Sequence, residues 1–253
     1  MHLLRKPWIS ILLLAQLFVP GALSSAAAQA LNEQVRVSPP IADPALQNVC
    51  HLWIRRRIAL IFARNYTGSA VLYRGRYLIT AGHNVYQDRS RIRSVTVRCG
   101  AMDARTATID ETIEPWQALD ASAYDGRSFS RDFGVIRLSK PIASSAPFEL
   151  AARPASAGDA IRFAGYPGGK YSGWDLFQAK GQITRIGEDL AYYDIETFKS
   201  NSGGPVWREA GGRRELVAIH VTGSGGRIVD AAFAREVESL IGILDRRAAE
   251  HGD

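Results

Sequence analysis

The stretch Lys199-Ser200-Asn201-Ser202-Gly203-Gly204-Pro205-Val206 decides how the chain is read. A serine set among small residues exposes its hydroxyl, and Gly203 and Gly204 remove side chains where another backbone has to pass. The amides of Ser200 and Ser202 lie close enough in sequence to converge on one developing negative charge. Ser-Gly-Gly-Pro is also an ordinary turn signal, so the stretch alone does not establish chemistry.

Two further segments supply what a reactive serine needs. Tyr77-Leu78-Ile79-Thr80-Ala81-Gly82-His83-Asn84 ends a β-rich run in small residues and a histidine. A serine hydroxyl is a weak nucleophile near neutral pH and requires an imidazole to take its proton. Asp132-Phe133-Gly134-Val135-Ile136-Arg137-Leu138 places an aspartate at the mouth of an alternating strand. A buried carboxylate there would fix the imidazole tautomer and stabilise the imidazolium. Asp120 and Asp125 are the alternative acids.

The chain order His83, Asp132, Ser202 resembles that of the trypsin-like serine peptidases and differs from the order in subtilisins and α/β-hydrolases. Gly165-Tyr166-Pro167-Gly168, and Tyr193-Asp194-Ile195 ahead of the serine turn, are similar to the glutamyl-endopeptidase branch. The resemblance covers about residues 67–225. It implies an all-β fold of two antiparallel six-stranded barrels with a C-terminal α-helix and the active site between the barrels. The implied activity is that of a serine endopeptidase without cofactor or metal. Ser202 is then the nucleophile, His83 the general base, Asp132 its orienting acid, and the Ser200 and Ser202 amides the oxyanion hole.

By position, the resemblance also matches Thr197 and His220, with Val221 and Gly223 on the same strand as His220, to a pocket that holds an acidic side chain. Glu196 stands where trypsin-like enzymes place the acid that attracts Lys or Arg, and would repel an acidic substrate from a pocket floor. Two departures stand out. Ser200 occupies a position usually held by glycine, where a positive φ would cost about 1 kcal/mol and turn the amide out of the oxyanion hole. Asn201 replaces the aspartate that captures a new N-terminal ammonium in trypsin, so activation of that kind is not expected. Competing readings are a weakly active or inactive homologue binding peptides in the same cleft, and a carboxylic-ester hydrolase using the same three residues.

The 253 residues are 46% hydrophobic and 22% charged, an ordinary globular composition. Residues 1–30 read as a signal peptide: Arg5 and Lys6, an apolar run from Trp8 to Val19, and Ala28-Gln29-Ala30 as a cleavage site. The apolar run is shorter than the roughly 20 residues of a spanning helix, the alternative reading. Export to the periplasm or outside the cell is therefore expected, with no stable membrane association afterwards. Residues 31–48, with Pro39, Pro40 and Pro44, read as a linker or prosegment, residues 49–145 as the first barrel, and residues 146–253 as the second barrel plus helix.

The formal charge of +6 includes Arg5 and Lys6 and is otherwise spread along the chain. Arg55-Arg56-Arg57 is the only tight basic run, reads as a solvated strand edge, and has no aromatic interleaving for base stacking. A protein or peptide substrate and a monomeric state are expected, and nucleic acid is not. Cys50 and Cys99 are the only cysteines. In an oxidising compartment they pair as a disulfide, the alternative being two buried thiols; a metal site does not match their spacing.

Short strand-like runs fill the chain: Ile58–Ala63, Ser69–Tyr73 and Arg76–Thr80 as a hairpin, Val95–Val97, Thr106–Ile113 and Val135–Leu138. The second half repeats the style at Ala160–Ala164, Phe177–Ile186, Ala191–Ile195, Pro205–Trp207 and Leu216–Val221. Only the end is helical in period. Phe233, Val237, Leu240, Ile241 and Leu244 form one apolar stripe, with Asp230 as N-cap.

Overall fold

The computed structural model describes residues 32–252, apart from 39, 59–61, 87–91, 101–108, 122–123 and 145. The signal-peptide reading of residues 1–30 lies outside the described residues. The strands are β1 (Val35–Arg36), β2 (Val49–Arg57), β3 (Ala63–Tyr73), β4 (Tyr77–Thr80), β5 (Ile92–Cys99), β6 (Ile109–Ile113), β7 (Leu119–Asp120) and β8 (Gly134–Arg137). They continue as β9 (Phe148–Leu150), β10 (Ala160–Gly165), β11 (Phe177–Ile186), β12 (Leu190–Tyr193), β13 (Pro205–Ala210), β14 (Arg213–Thr222) and β15 (Gly225–Ile228). Helices are few: the short α1 (Gly82–Val85) and α2 (Pro115–Ala118), and the long α3 (Ala231–His251).

In the second half, the strands run in the order β11-β10-β13-β14-β15-β12, and pairing of β12 with β11 closes this path into a six-stranded barrel. The first half forms a sheet in the order β6-β5-β2-β3-β4-β8-β7. It curls into a half-barrel, and among the described residues its end strands do not pair with each other. The all-β, antiparallel architecture with a terminal helix is as the sequence implies; closure of the first sheet is the detail that differs.

Three apolar clusters account for this arrangement. Leu52, Ile54, Leu72, Leu78, Val97 and Ile136 fill the concave face of the first sheet, and Ile161, Phe163, Ile183, Val206 and Val217 fill the closed barrel. The third lies between them and includes Val71, Ile79, Phe133, Tyr166, Trp207 and the buried stripe of α3. Asp230 caps α3 by accepting from Phe233 N–H at 2.7 Å, as its position before the stripe predicts. From the second half, α3 reaches back to the first sheet, where Asp245 accepts from the Tyr77 hydroxyl at 2.9 Å and Arg247 meets Asp120 at 2.8 Å.

One strand assignment needs correction. Ile58–Ala63 is no strand of its own: β2 ends at Arg57, β3 begins at Ala63, and Ile58 N–H donates to Phe62 O at 2.9 Å across the tip. Ile58 and Phe62 are exposed there, so the apolar run marks a hairpin tip. Ahead of the first barrel, Val35 and Arg36 pair with Gln178 and Phe177 of β11. Cys50 and Cys99 face each other in register across β2 and β5 and form a disulfide.

Candidate active site

His83 sits in the one-turn helix α1, delivered by β4. Gly82 is required beside it, because a Cβ there would lie 2.8 Å from the Phe133 nitrogen and 3.0 Å from its oxygen. That close approach brings in Asp132, at the end of a short 3₁₀ turn and almost fully buried. Asp132 Oδ1 accepts from the His83 main-chain N–H at 2.8 Å, and Oδ2 lies 2.8 Å from His83 Nδ1. A carboxylate only accepts, so Nδ1 carries the proton and Nε2 is left as the basic nitrogen. The alternative acids are committed elsewhere: Asp120 to Arg247, and Asp125 to capping the Arg127 and Ser128 amides.

Ser202 lines the same cleft as His83, a hollow of about 490 Å³. Its carbonyl is gripped from the first sheet by Ser69 N–H at 2.8 Å and Asn84 Nδ2 at 2.9 Å. Gly203 has φ +89°, and a Cβ there would stand 1.9 Å from Ser69 O, so only glycine fits. Among the described residues no hydrogen bond joins the Ser202 hydroxyl to His83; such bonds are often long in free enzymes and tighten on the substrate.

Among the described residues, Ser200 is one of two non-glycine residues with positive φ, at 71°. Its hydroxyl lies 2.6 Å from Thr67 Oγ1, and its carbonyl accepts from Ser69 Oγ at 3.0 Å. The carbonyl of Lys199 is tied outward by Gly168 N–H at 2.7 Å. In a planar trans peptide the Ser200 N–H must then point the opposite way. Among the described residues neither the Ser200 nor the Ser202 amide has a protein acceptor. Both amides are thus left as unpaired donors. The positive φ is present, with the Lys199 carbonyl held by Gly168 N–H.

The residues matched to a specificity pocket are placed less uniformly. His220 is buried on β14, and its Nδ1 is hydrogen-bonded to the Tyr193 hydroxyl. Burial, reinforced by the nearby His83, pushes its pKa down to about 3. The imidazole is therefore neutral near pH 7, contrary to a charged partner for a carboxylate. Thr197 donates its hydroxyl proton to Gly223 O, at the β14–β15 turn, while Val221 is buried against Ala81 and Leu190. Glu196 is exposed, its main chain held by Asn32 and Gln34, and lines no part of the cleft containing Ser202. Asn201 is fully buried, with neither side-chain polar atom hydrogen-bonded among the described residues.

Sequence reasoning missed four polar residues that assemble the site. Thr67, Ser69, Thr80 and Asn84 join the serine turn to the first sheet, with Thr80 Oγ1 donating to Ser69 O at 2.6 Å and accepting from Asn84 Nδ2 at 3.0 Å. The available signal was small hydroxyl residues within the apolar strands β3 and β4 and an asparagine directly after the histidine.

With this geometry in place, the family model described as "Trypsin-like peptidase domain" matches residues 68–219. The chain belongs to the trypsin-like peptidase domain family. Within it, the chain is similar to a glutamyl endopeptidase of Staphylococcus aureus (strain MRSA252), 34% identical over 76 residues. That stretch is 30% of this chain and 20% of the relative, so the chain matches about a fifth of the curated relative's length. A solved Glu endopeptidase in complex with MPD has a TM-score of 0.62 at 21% identity, covering 80% of this chain and 93% of that one. A scabies mite inactivated protease paralogue has a TM-score of 0.59 at 12% identity, covering 79% of this chain and 97% of that one. At these identities the solved structures speak for the fold alone.

Proposed function

We propose that this member of the family is an exported serine endopeptidase that hydrolyses peptide bonds through an acyl-enzyme. The observation that carries the proposal is the double clamp of Asp132 on His83, which leaves Nε2 basic in the cleft that Ser202 lines. His83 takes the hydroxyl proton as Ser202 Oγ attacks the carbonyl carbon, and the Ser200 and Ser202 amides stabilise the oxyanion. His83 then protonates the departing amine, and water repeats the sequence on the ester. The Cys50–Cys99 disulfide supports an oxidising compartment.

We further infer selectivity for an acidic residue before the scissile bond. With the Tyr193 hydroxyl as donor to His220 Nδ1, the proton of the neutral imidazole would lie on Nε2, where it could be given to a carboxylate. Recognition would then be by hydrogen bonds from a neutral imidazole, with Thr197 released from Gly223. The exposure of Glu196, outside the cleft that Ser202 lines, supports acidic over basic selectivity. The name of the staphylococcal relative supports the same choice.

The second reading, an inactive peptide-binding homologue, draws on the open Ser202–His83 contact. Matched peptides with Glu, Lys or Phe before the bond, assayed with the native protein and His220→Ala, test the specificity. Preferred cleavage after Glu, lost in His220→Ala, is expected. Preference for Lys that disappears in Glu196→Gln would overturn the assignment, and cleavage of none of the three would favour the inactive homologue.

A further inference from the structure

The run Arg55-Arg56-Arg57 is more than a solvated strand edge. It ends β2 at the rim of the catalytic cleft, and strand alternation sends its members to different faces. Arg56 lines the cleft with His83 and Ser202, donating to the His83 carbonyl at 2.8 Å and the Asn84 carbonyl at 3.0 Å. Arg55 lines a second hollow of about 550 Å³, together with Arg93, Trp53 and Thr96. Asn65 lines both hollows, so they meet at β3, the second lying on the face of β2 opposite to Arg56.

The charge in these hollows is one-sided. Arg56 and Lys199 line the first, Arg55 and Arg93 the second, and no Asp or Glu lines either among the described residues. None of these four cations has a carboxylate partner among the described residues, whereas Arg36, Arg98, Arg153 and Arg162 each do. Unneutralised cations in a concave surface focus a positive potential on whatever enters.

The direction of the path identifies the occupant. On the proposed reading, the part of the substrate before the scissile bond lies toward Thr197, His220 and Gly223. None of these lines either hollow; the first takes its strand residues from β2 and β3, and the second is built mainly from β2, β3 and β5 of the first sheet. The path leads away from the acyl side and accepts the segment that leaves with the new amine. We propose that this basic channel binds acidic side chains in the first few residues after the scissile bond. The enzyme would thus select polypeptides that carry Asp or Glu on the leaving side. The inference rests on the peptidase reading and is independent of which residue precedes the bond.

The test uses matched peptides with one common segment before the bond and Asp-Asp, Ala-Ala or Lys-Lys at the second and third positions after it. A small activated ester, with no residues after the bond, reports the serine chemistry alone. The expected order of kcat/KM is Asp-Asp over Ala-Ala over Lys-Lys. Arg55→Gln/Arg93→Gln should lower the Asp-Asp rate by about tenfold, the effect of two exposed charge pairs, and leave Ala-Ala and the ester unchanged. About 0.5 M salt should compress the same series. Ester turnover and peptide cleavage indifferent to charge after the bond would overturn the proposal, as would an equal loss on all three peptides in the double variant. An inert ester with no peptide cleaved would instead sink the peptidase reading, and the channel proposal with it.

Discussion

Asn84 Nδ2 donates to the Ser202 carbonyl at 2.9 Å, so the residue after the histidine holds the residue that carries the hydroxyl. The same amide group reaches Thr80 Oγ1, and Gly68 leaves it room: a Cβ there would lie 2.7 Å from Asn84 Nδ2. Asn84→Ala should therefore loosen the serine turn against α1 while leaving the pocket residues in place. We expect kcat to fall by about tenfold to a hundredfold with KM little changed, since misplacement of reacting groups acts on the chemical step. Steady-state kinetics normalised by active-site titration would check this, and an unchanged kcat would show that the bond is dispensable.

Ser200 tests whether the left-handed turn is under strain. With φ at 71° and a hydroxyl bonded to Thr67, the residue offsets backbone strain with a local hydrogen bond. Ser200→Gly removes both and should change stability by less than about 1 kcal/mol and kcat by less than about threefold. Ser200→Ala keeps the strain and loses the bond, and should cost about 1–2 kcal/mol. Thermal melts of the two variants side by side decide it, and equal stability of both would contradict the account.

The catalytic segments were legible because each is local: a strand ending in Ala-Gly-His, an aspartate opening a strand, and a serine turn rich in glycine. Glycine was readable for the same reason, since Gly203 has no room for a side chain whatever the distant sequence. The polar joints were not, because Asn84 and Ser202 are 118 residues apart and nothing in either segment names its partner. The exposed tip carrying Ile58 and Phe62 imitated a strand by composition, whereas the arginines of β2 disguised a real one. The two-residue β1 is too short for any periodicity.

Two buried histidines contribute to the response to acid. Burial lowers the pKa of His51 to about 4, with the Arg98 charge adding to it, and that of His220 to about 3. Both fall below the unfolded value near 6.5. Between these limits the unfolded chain binds more protons, so stability rises with pH there. It is fully present above about pH 6.5 and is lost as pH falls toward 4 and then 3. The slope is about 1.4 kcal/mol per pH unit for each histidine where its proton uptake differs fully. His51→Gln should flatten part of the urea-midpoint profile between pH 6.5 and 4, and an unchanged slope would exclude His51 as a source.

The Cys50–Cys99 bond joins strands already paired in register and closes a loop spanning 49 residues. The chain-entropy model gives such a loop about 4 kcal/mol, and measured values often fall lower. Replacement of both cysteines by alanine should lower the unfolding free energy by about 2–4 kcal/mol, read from urea denaturation. Stability equal to that of the native protein would mean the cross-link adds nothing to the paired sheet.

The most direct measurement is labelling of the intact protein with a fluorophosphonate, followed by peptide mapping, alongside hydrolysis by Ser202→Ala. A nucleophile activated by His83 should react at Ser202 alone. His83→Ala should abolish the labelling, and Ser202→Ala should lower turnover by roughly a million-fold with an unchanged melting profile. Labelling at another residue, or hydrolysis that persists in Ser202→Ala, would contradict the account.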